Sequence, residues 1–180
     1  MTSTQLNSMT ATGRRDRLRL QMKPETAERG HVDGGWWPWS NDPGKEFAAL
    51  VPALEARLGP VSRISCSLEA WEPAAGEFSV DGRVVRFEGF HSMDANTVVV
   101  IGSDSRRATL LVVPPDTVGG QARAALRAAA GSDSFAAVAD ILSSNGITPR
   151  AGGAAVARLV PEQTSEDRWE SEGGRVAVPS

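Results

Sequence analysis

The chain has 180 residues, 22 acidic against 19 basic side chains, and a formal net charge of −3. That length suits one domain with tails, able to bury roughly two-thirds of its unfolded surface without disulfides or metal. The weakly negative balance excludes general nucleic-acid binding, which needs a concentrated positive surface, and a single cysteine excludes an internal disulfide and suits a reducing compartment.

No run is long and apolar enough to span a bilayer, and Met1–Gly13 lacks the apolar stretch of a secretion signal. The expected location is the cytoplasm, with no membrane partner. Charge is uneven along the chain: Arg14, Arg15, Arg17, Arg19 and Lys23 cluster early, while Glu162, Glu166, Asp167, Glu170 and Glu172 load the end. Two solvated, mutually attracted ends explain this more simply than a binding stripe.

Residues 1–13 are small and polar and are expected to be a disordered tail. Residues 14–146 then read as a single α+β domain, and residues 147–180 as a flexible acidic tail in which Trp169 is the odd member. Arg17–Met22 alternates, with Leu18, Leu20 and Met22 on one face of a half-buried strand. The tryptophan-rich segment His31–Ser40 follows. Asn41-Asp42-Pro43 has the form of a helix start, and Phe47, Leu50, Val51, Leu54 and Leu58 keep helical spacing up to Gly59-Pro60. Pro52 should kink that helix or break it in two.

Ile64, Cys66 and Leu68 alternate as a second strand running toward Trp71, with the Cys66 thiol buried. Asp81-Gly82, between Glu77–Val80 and Arg83–Phe87, is the clearest local signal. A two-residue primed turn there sets Val80 opposite Arg83 and Glu77 opposite Arg86, placing Phe78, Val80, Val85 and Phe87 on the core face. Glu77 and Arg86 can then pair on the other face. Thr97–Ile101 and Ala108–Val113 form two more strands, apolar on both faces and so in need of cover on both. Thr117 is the expected cap of an alanine-rich helix, Val118–Ala130, and a shorter helix spans Phe135–Ser144 before Asn145-Gly146. The order implies an α+β domain: an antiparallel sheet of about five to six strands with helices packed on one face.

Catalytic signals are weak. His31 and His91 stand outside any ligand-spaced cluster, so no metal is expected. No serine sits in a Gly-x-Ser-x-Gly elbow, neither Gly34-Gly35 nor Gly119-Gly120 has a phosphate-loop ending, and no cofactor is implied. Trp36 and Trp37 point to opposite sides if extended, so one can be buried while the other lines a groove. Asp33 is placed to orient an indole or satisfy a turn at Gly34-Gly35. The candidate binding set is His31, Asp33, Trp36, Trp37, Trp71, Arg86 and His91.

The runs Val32-Asp33-Gly34-Gly35-Trp36-Trp37-Pro38, Ala70-Trp71-Glu72-Pro73, Val80-Asp81-Gly82-Arg83, Gly89-Phe90 and Thr109–Pro115 together resemble a family of uncharacterised small actinobacterial proteins, a domain of unknown function. The resemblance spans about Arg17 to Ala130. Where an Arg commonly follows the Trp-Trp-Pro of that pattern, this chain has Trp39. The resemblance implies a shared fold and, since the family carries no established activity, assigns none.

Three functional readings follow in order. The first is a non-catalytic interaction module, self-associating or binding a protein partner through the tryptophan segment or an uncovered sheet face. The second is a small-ligand-binding domain with a tryptophan-bordered pocket. The last is an enzyme using His31 or His91 with a carboxylate. The tryptophan segment itself reads first as a lid over the doubly apolar strands.

Overall fold

The computed structural model describes residues 18–151. In chain order they form β1 (Leu20–Met22), β2 (Gly34–Trp36), α1 (Pro43–Leu58), β3 (Val61–Ser67), β4 (Glu77–Val80), β5 (Arg83–Phe90), β6 (Thr97–Gly102), β7 (Arg107–Val112), α2 (Gly119–Ala129) and α3 (Val138–Ser144). The seven strands make one sheet in the order β1-β2-β7-β6-β3-β5-β4. It is mixed rather than purely antiparallel: β2 runs parallel to β7, and β3 parallel to β5. The expected tails, residues 1–13 and the acidic stretch with Trp169, lie outside the described residues.

Local chemistry explains the elements that the pattern foretold. Asp42 caps α1 by accepting from the Gly44 and Lys45 N–H groups, and Pro43 occupies the first turn. The Lys45 ammonium beside it holds the Asp42 carboxyl below its usual range. Phe47, Leu50, Val51, Leu54 and Leu58 are all buried. Pro52 does not split the helix, which runs unbroken from Pro43 to Leu58. The hairpin has the expected register, Glu77 opposite Arg86 through Val80 opposite Arg83. Asp81 and Gly82 both take positive φ (49° and 78°), the geometry of a type I′ turn. No Glu77–Arg86 ion pair forms; Arg63 pairs with Glu88 across the same face at 3.4 Å instead.

Helices cover both faces of the sheet, correcting the expectation of one. α1 packs on β3, β4 and β6. Beneath it lies a core of Trp36, Phe47, Leu54, Ile64, Cys66, Val85, Val98, Val100, Leu110 and Val112, joined by Leu18, Leu20 and Met22. α2 packs on β1 and β2, and with α3 it closes a second core of Trp37, Leu111, Val113, Ala122, Leu126 and Leu142. The cause is β2: by pairing with β7 it widens the sheet beyond β7 and, with β1, gives α2 a platform.

Two helix starts differ from expectation. Val118, not Thr117, sits at the N-cap of α2 and provides no side-chain cap, and α3 begins at Val138, leaving Phe135 exposed outside it. The doubly apolar reading holds for β7, whose Leu110 and Leu111 are buried on opposite faces. It fails for β6, where Val98 and Val100 are buried but Val99 and Ile101 are only half-buried. After α3, Ile147 is buried and Arg150 is tied to the sheet end. The Arg150 N–H donates to Asn96 Oδ1 (3.1 Å), and the Asn96 amide donates back to the Arg150 carbonyl (3.1 Å).

Candidate functional site

The tryptophan segment is no lid. Its Gly34-Gly35-Trp36 core is an interior strand, clamped on one side by β1 and on the other by β7. Asp33 makes the clamp. Its N–H donates to the Thr109 carbonyl (2.7 Å) while its Oδ2 accepts from the Thr109 N–H (2.8 Å). It therefore serves strand pairing rather than an indole. The two glycines are needed for close approach. A Cβ on Gly34 would lie 2.4 Å from the Gln21 carbonyl oxygen, and one on Gly35 would lie 3.0 Å from Leu126 Cδ2 of α2.

The paired tryptophans diverge as strand geometry requires. Trp36 is fully buried and stacks on Trp71 (ring centroids 5.5 Å apart) beside Phe47 (5.7 Å). Trp37 turns to the opposite core under α2. Both Trp37 and Trp71 are more than nine-tenths buried, and their indole N–H groups meet no acceptor among the described residues.

Trp37 and Trp39 hold Arg19 between them. The guanidinium carbon lies 3.4 Å from the Trp37 ring centroid and 3.7 Å from that of Trp39. Arg19 Nε donates to the Trp37 carbonyl (2.9 Å) and Nη2 to the Pro38 carbonyl (2.6 Å), so β1 and the end of the tryptophan segment are locked together. Nη1 has no acceptor among the described residues. Burial pulls the Arg19 pKa below its ordinary value; Glu46 opposes this and the Arg123 charge adds to it. Glu46 is itself engaged, accepting from the Trp39 N–H (3.1 Å) and the Ser40 hydroxyl (2.9 Å).

A cleft of about 390 Å³ opens here, lined by Leu18, Arg19, Leu20, Gln21, Trp37, Trp39, Arg123 and Leu126. Among the described residues, two guanidinium groups border it and no carboxylate does. Arg123 is exposed and has no ion pair among the described residues. The uncapped first turn of α2 is adjacent: a Cβ on Gly119 would stand 3.7 Å from Arg123 Nη1 and 3.8 Å from Trp37 Cη2. The helix dipole there adds to the positive potential. A second, larger cleft of about 510 Å³ gathers Lys23, Arg29, Arg57, Arg106 and Arg107 with Glu25, Glu28, Asp33 and Asp104. Charges of both signs mix on its wall: Arg106 pairs with Asp104 (2.6 Å) and Arg57 with Glu25 (3.9 Å), while Lys23 Nζ donates to the Ser134 carbonyl (2.7 Å).

Of the candidate binding set, only Trp37 borders the Trp–Arg cleft. Trp36 and Trp71 are core, Asp33 is a strand clamp, Arg86 lies exposed on the open half of the sheet, and His31 and His91 are exposed elsewhere. Arg19, Trp39 and Arg123 were missed because they come together only when β1 pairs with β2 and α2 folds over them. The alternation that turns Leu18 and Leu20 onto the core did place Arg19 on the opposite face, which was the one available signal. Among the described residues, no three His, Cys, Asp or Glu side chains gather as a metal-holding group, and no helix is long and apolar enough to cross a membrane.

Neither a curated protein nor a solved structure matches the chain. A family model described as a family of unknown function, DUF5994, matches residues 19–129, a span that carries Arg19, the tryptophan segment and Arg123, and the chain belongs to that family.

Proposed function

We propose that this domain is a non-catalytic cytoplasmic binding module that takes an organic anion in the cleft between β1 and α2. One observation carries the reading: Arg19 and Arg123 both border a cleft on whose wall no carboxylate stands among the described residues. Its volume falls in the range of about 300–1,000 Å³ usual for small-ligand pockets. Trp37 and Trp39 supply apolar walls for the body of a ligand, and Arg19 is pre-positioned by its two backbone acceptors. Guanidinium groups favour planar anions because they donate in parallel pairs to carboxylate or phosphate.

Tryptophan fluorescence reads this site directly, since two indoles border it. Titration with benzoate, a phosphomonoester and an uncharged amide should give saturable quenching by one or both anions and none by the amide. Arg123→Gln should weaken the response about tenfold, the usual scale for one charge-assisted contact. An unchanged spectrum and melting temperature with every anion would refute the reading.

A second copy docked on the open half of the sheet is the other reading. Beyond the reach of α2, β6, β3 and β5 present Val99, Ile101, Arg63, Glu88 and Val84 on one face. Val84 is 57% and Phe90 44% exposed there, a pair of apolar side chains flanked by charges of both signs. Light scattering at high concentration should then show a dimer that Val84→Lys dissociates; a strict monomer removes this reading.

A further inference from the structure

The cleft does not sit over the middle of the sheet. Four consecutive residues, Leu18, Arg19, Leu20 and Gln21, line it. Leu18 and Leu20 belong to the core under α1, so Arg19 and Gln21, alternating with them, lie on the other face. A cavity bordered by residues of both faces runs along the strand backbone, and β1 is the terminal strand of the sheet.

Among the described residues, the backbone of that strand has an open side. The Arg19 carbonyl accepts from the Trp37 N–H, the Lys23 N–H donates to the Asp33 carbonyl, and Gln21 lies opposite Gly35. Residues 19, 21 and 23 therefore direct their peptide groups toward β2. By alternation, Leu20 and Met22 direct theirs outward, where β1 has no other strand partner among the described residues. Edge strands left open in this way are templates for a further strand. Positive charge stands beside the edge, from Arg19, Arg123 and the uncapped start of α2.

We infer that the occupant of the Trp–Arg cleft is an extended acidic segment of a partner protein, added as an eighth strand along β1, with an Asp or Glu side chain received between Arg19 and Arg123. The inference rests on the anion-binding reading above and names its ligand. The Leu20 and Met22 peptide groups give affinity without regard to sequence, and the guanidinium pair selects the acid. An alternating segment presents such an acid on the α2 side and apolar side chains on the other.

The probe is a capped heptapeptide of alternating threonine and valine with one central glutamate, titrated into the full chain by tryptophan fluorescence. Companion peptides replace the glutamate by glutamine, or carry N-methyl groups on alternate residues in one register or the other. The glutamate peptide should bind at least about tenfold tighter than the glutamine peptide, and Arg123→Gln should erase that difference. N-methylation in one register should abolish binding while the other register leaves it intact, because only one edge of an added strand faces β1. Equal binding of both methylated peptides, or benzoate binding as tightly as the peptide, overturns strand addition while leaving the anion site standing. Silence from every anion, peptide or not, overturns both.

Discussion

Replacing Trp36 by alanine removes an indole that is 0% exposed and is packed against Trp71 and Phe47. Burying an indole takes roughly 150–250 Å² out of water, which at about 25 cal/mol per Å² amounts to about 4–6 kcal/mol. Large-to-small core changes of this kind cost about 3–5 kcal/mol once the site relaxes. Against a total stability of about 5–15 kcal/mol for a domain, Trp36→Ala should leave it marginal. Trp39, three residues on, is 58% exposed and stacks on Arg19, a surface contact worth about 0.5–1 kcal/mol. Urea unfolding of both variants, followed by far-UV circular dichroism, separates the two. The midpoint should fall by about 2 M for Trp36→Ala and by less than about 0.5 M for Trp39→Ala, taking a slope of about 2 kcal/mol/M. Losses within about 1 kcal/mol of each other would refute the division of this segment into a buried strand and a surface stack.

Gly34→Ala forces a Cβ against the Gln21 carbonyl and, at 2.9 Å, Met22 Cα. Because backbone cannot swing aside, β1 should separate from β2 at a cost of about 1–3 kcal/mol, seen as faster hydrogen exchange at the Lys23 and Trp37 amides. Asp33→Ala leaves the Thr109 N–H without its carboxylate acceptor and should cost about 1–3 kcal/mol. Asp33→Asn retains an oxygen there and should recover most of that in the same melt; equal losses would argue against the clamp. Burial pushes the Cys66 thiol up to about 12 from its usual 9.0. Its folded-state pKa is raised, so the neutral thiol's contribution is complete below pH 9 and fades as pH climbs from 9.0 toward 12. Iodoacetamide at pH 8 should leave the folded protein unmodified and label it only in denaturant; rapid labelling of the native protein would contradict the burial.

Much of the local structure was legible in the residues. Asp42-Pro43 with the spacing of Phe47 through Leu58 determined α1, Asp81-Gly82 determined the hairpin and its register, and alternation at Leu18, Leu20 and Met22 determined the buried face of β1. These are short-range effects: a cap, a turn that needs two positive φ values, and a side-chain period that neighbours in the chain impose. The family resemblance was legible in the same way, through the tryptophan segment and the Thr109–Pro115 run, and the match over residues 19–129 agrees with it.

Only the tertiary structure decided what the tryptophan segment is. Gly34-Gly35-Trp36 has no alternation of its own, and it becomes a strand because Leu110–Val112 and Leu20–Met22 flank it on either side. That one insertion added a second parallel pairing to that of β3 with β5, gave α2 its platform on the opposite face, and buried Trp36 and Trp37 in separate cores. It also brought Arg19 between two indoles and within range of Arg123, across more than a hundred residues of chain. Long-range strand pairing depends on partners distant in sequence, so no window of the chain contains it. Residue chemistry determined that the segment is a large aromatic surface, open to use as lid, interface or groove; the fold decided that it is the strand beside which the cleft opens.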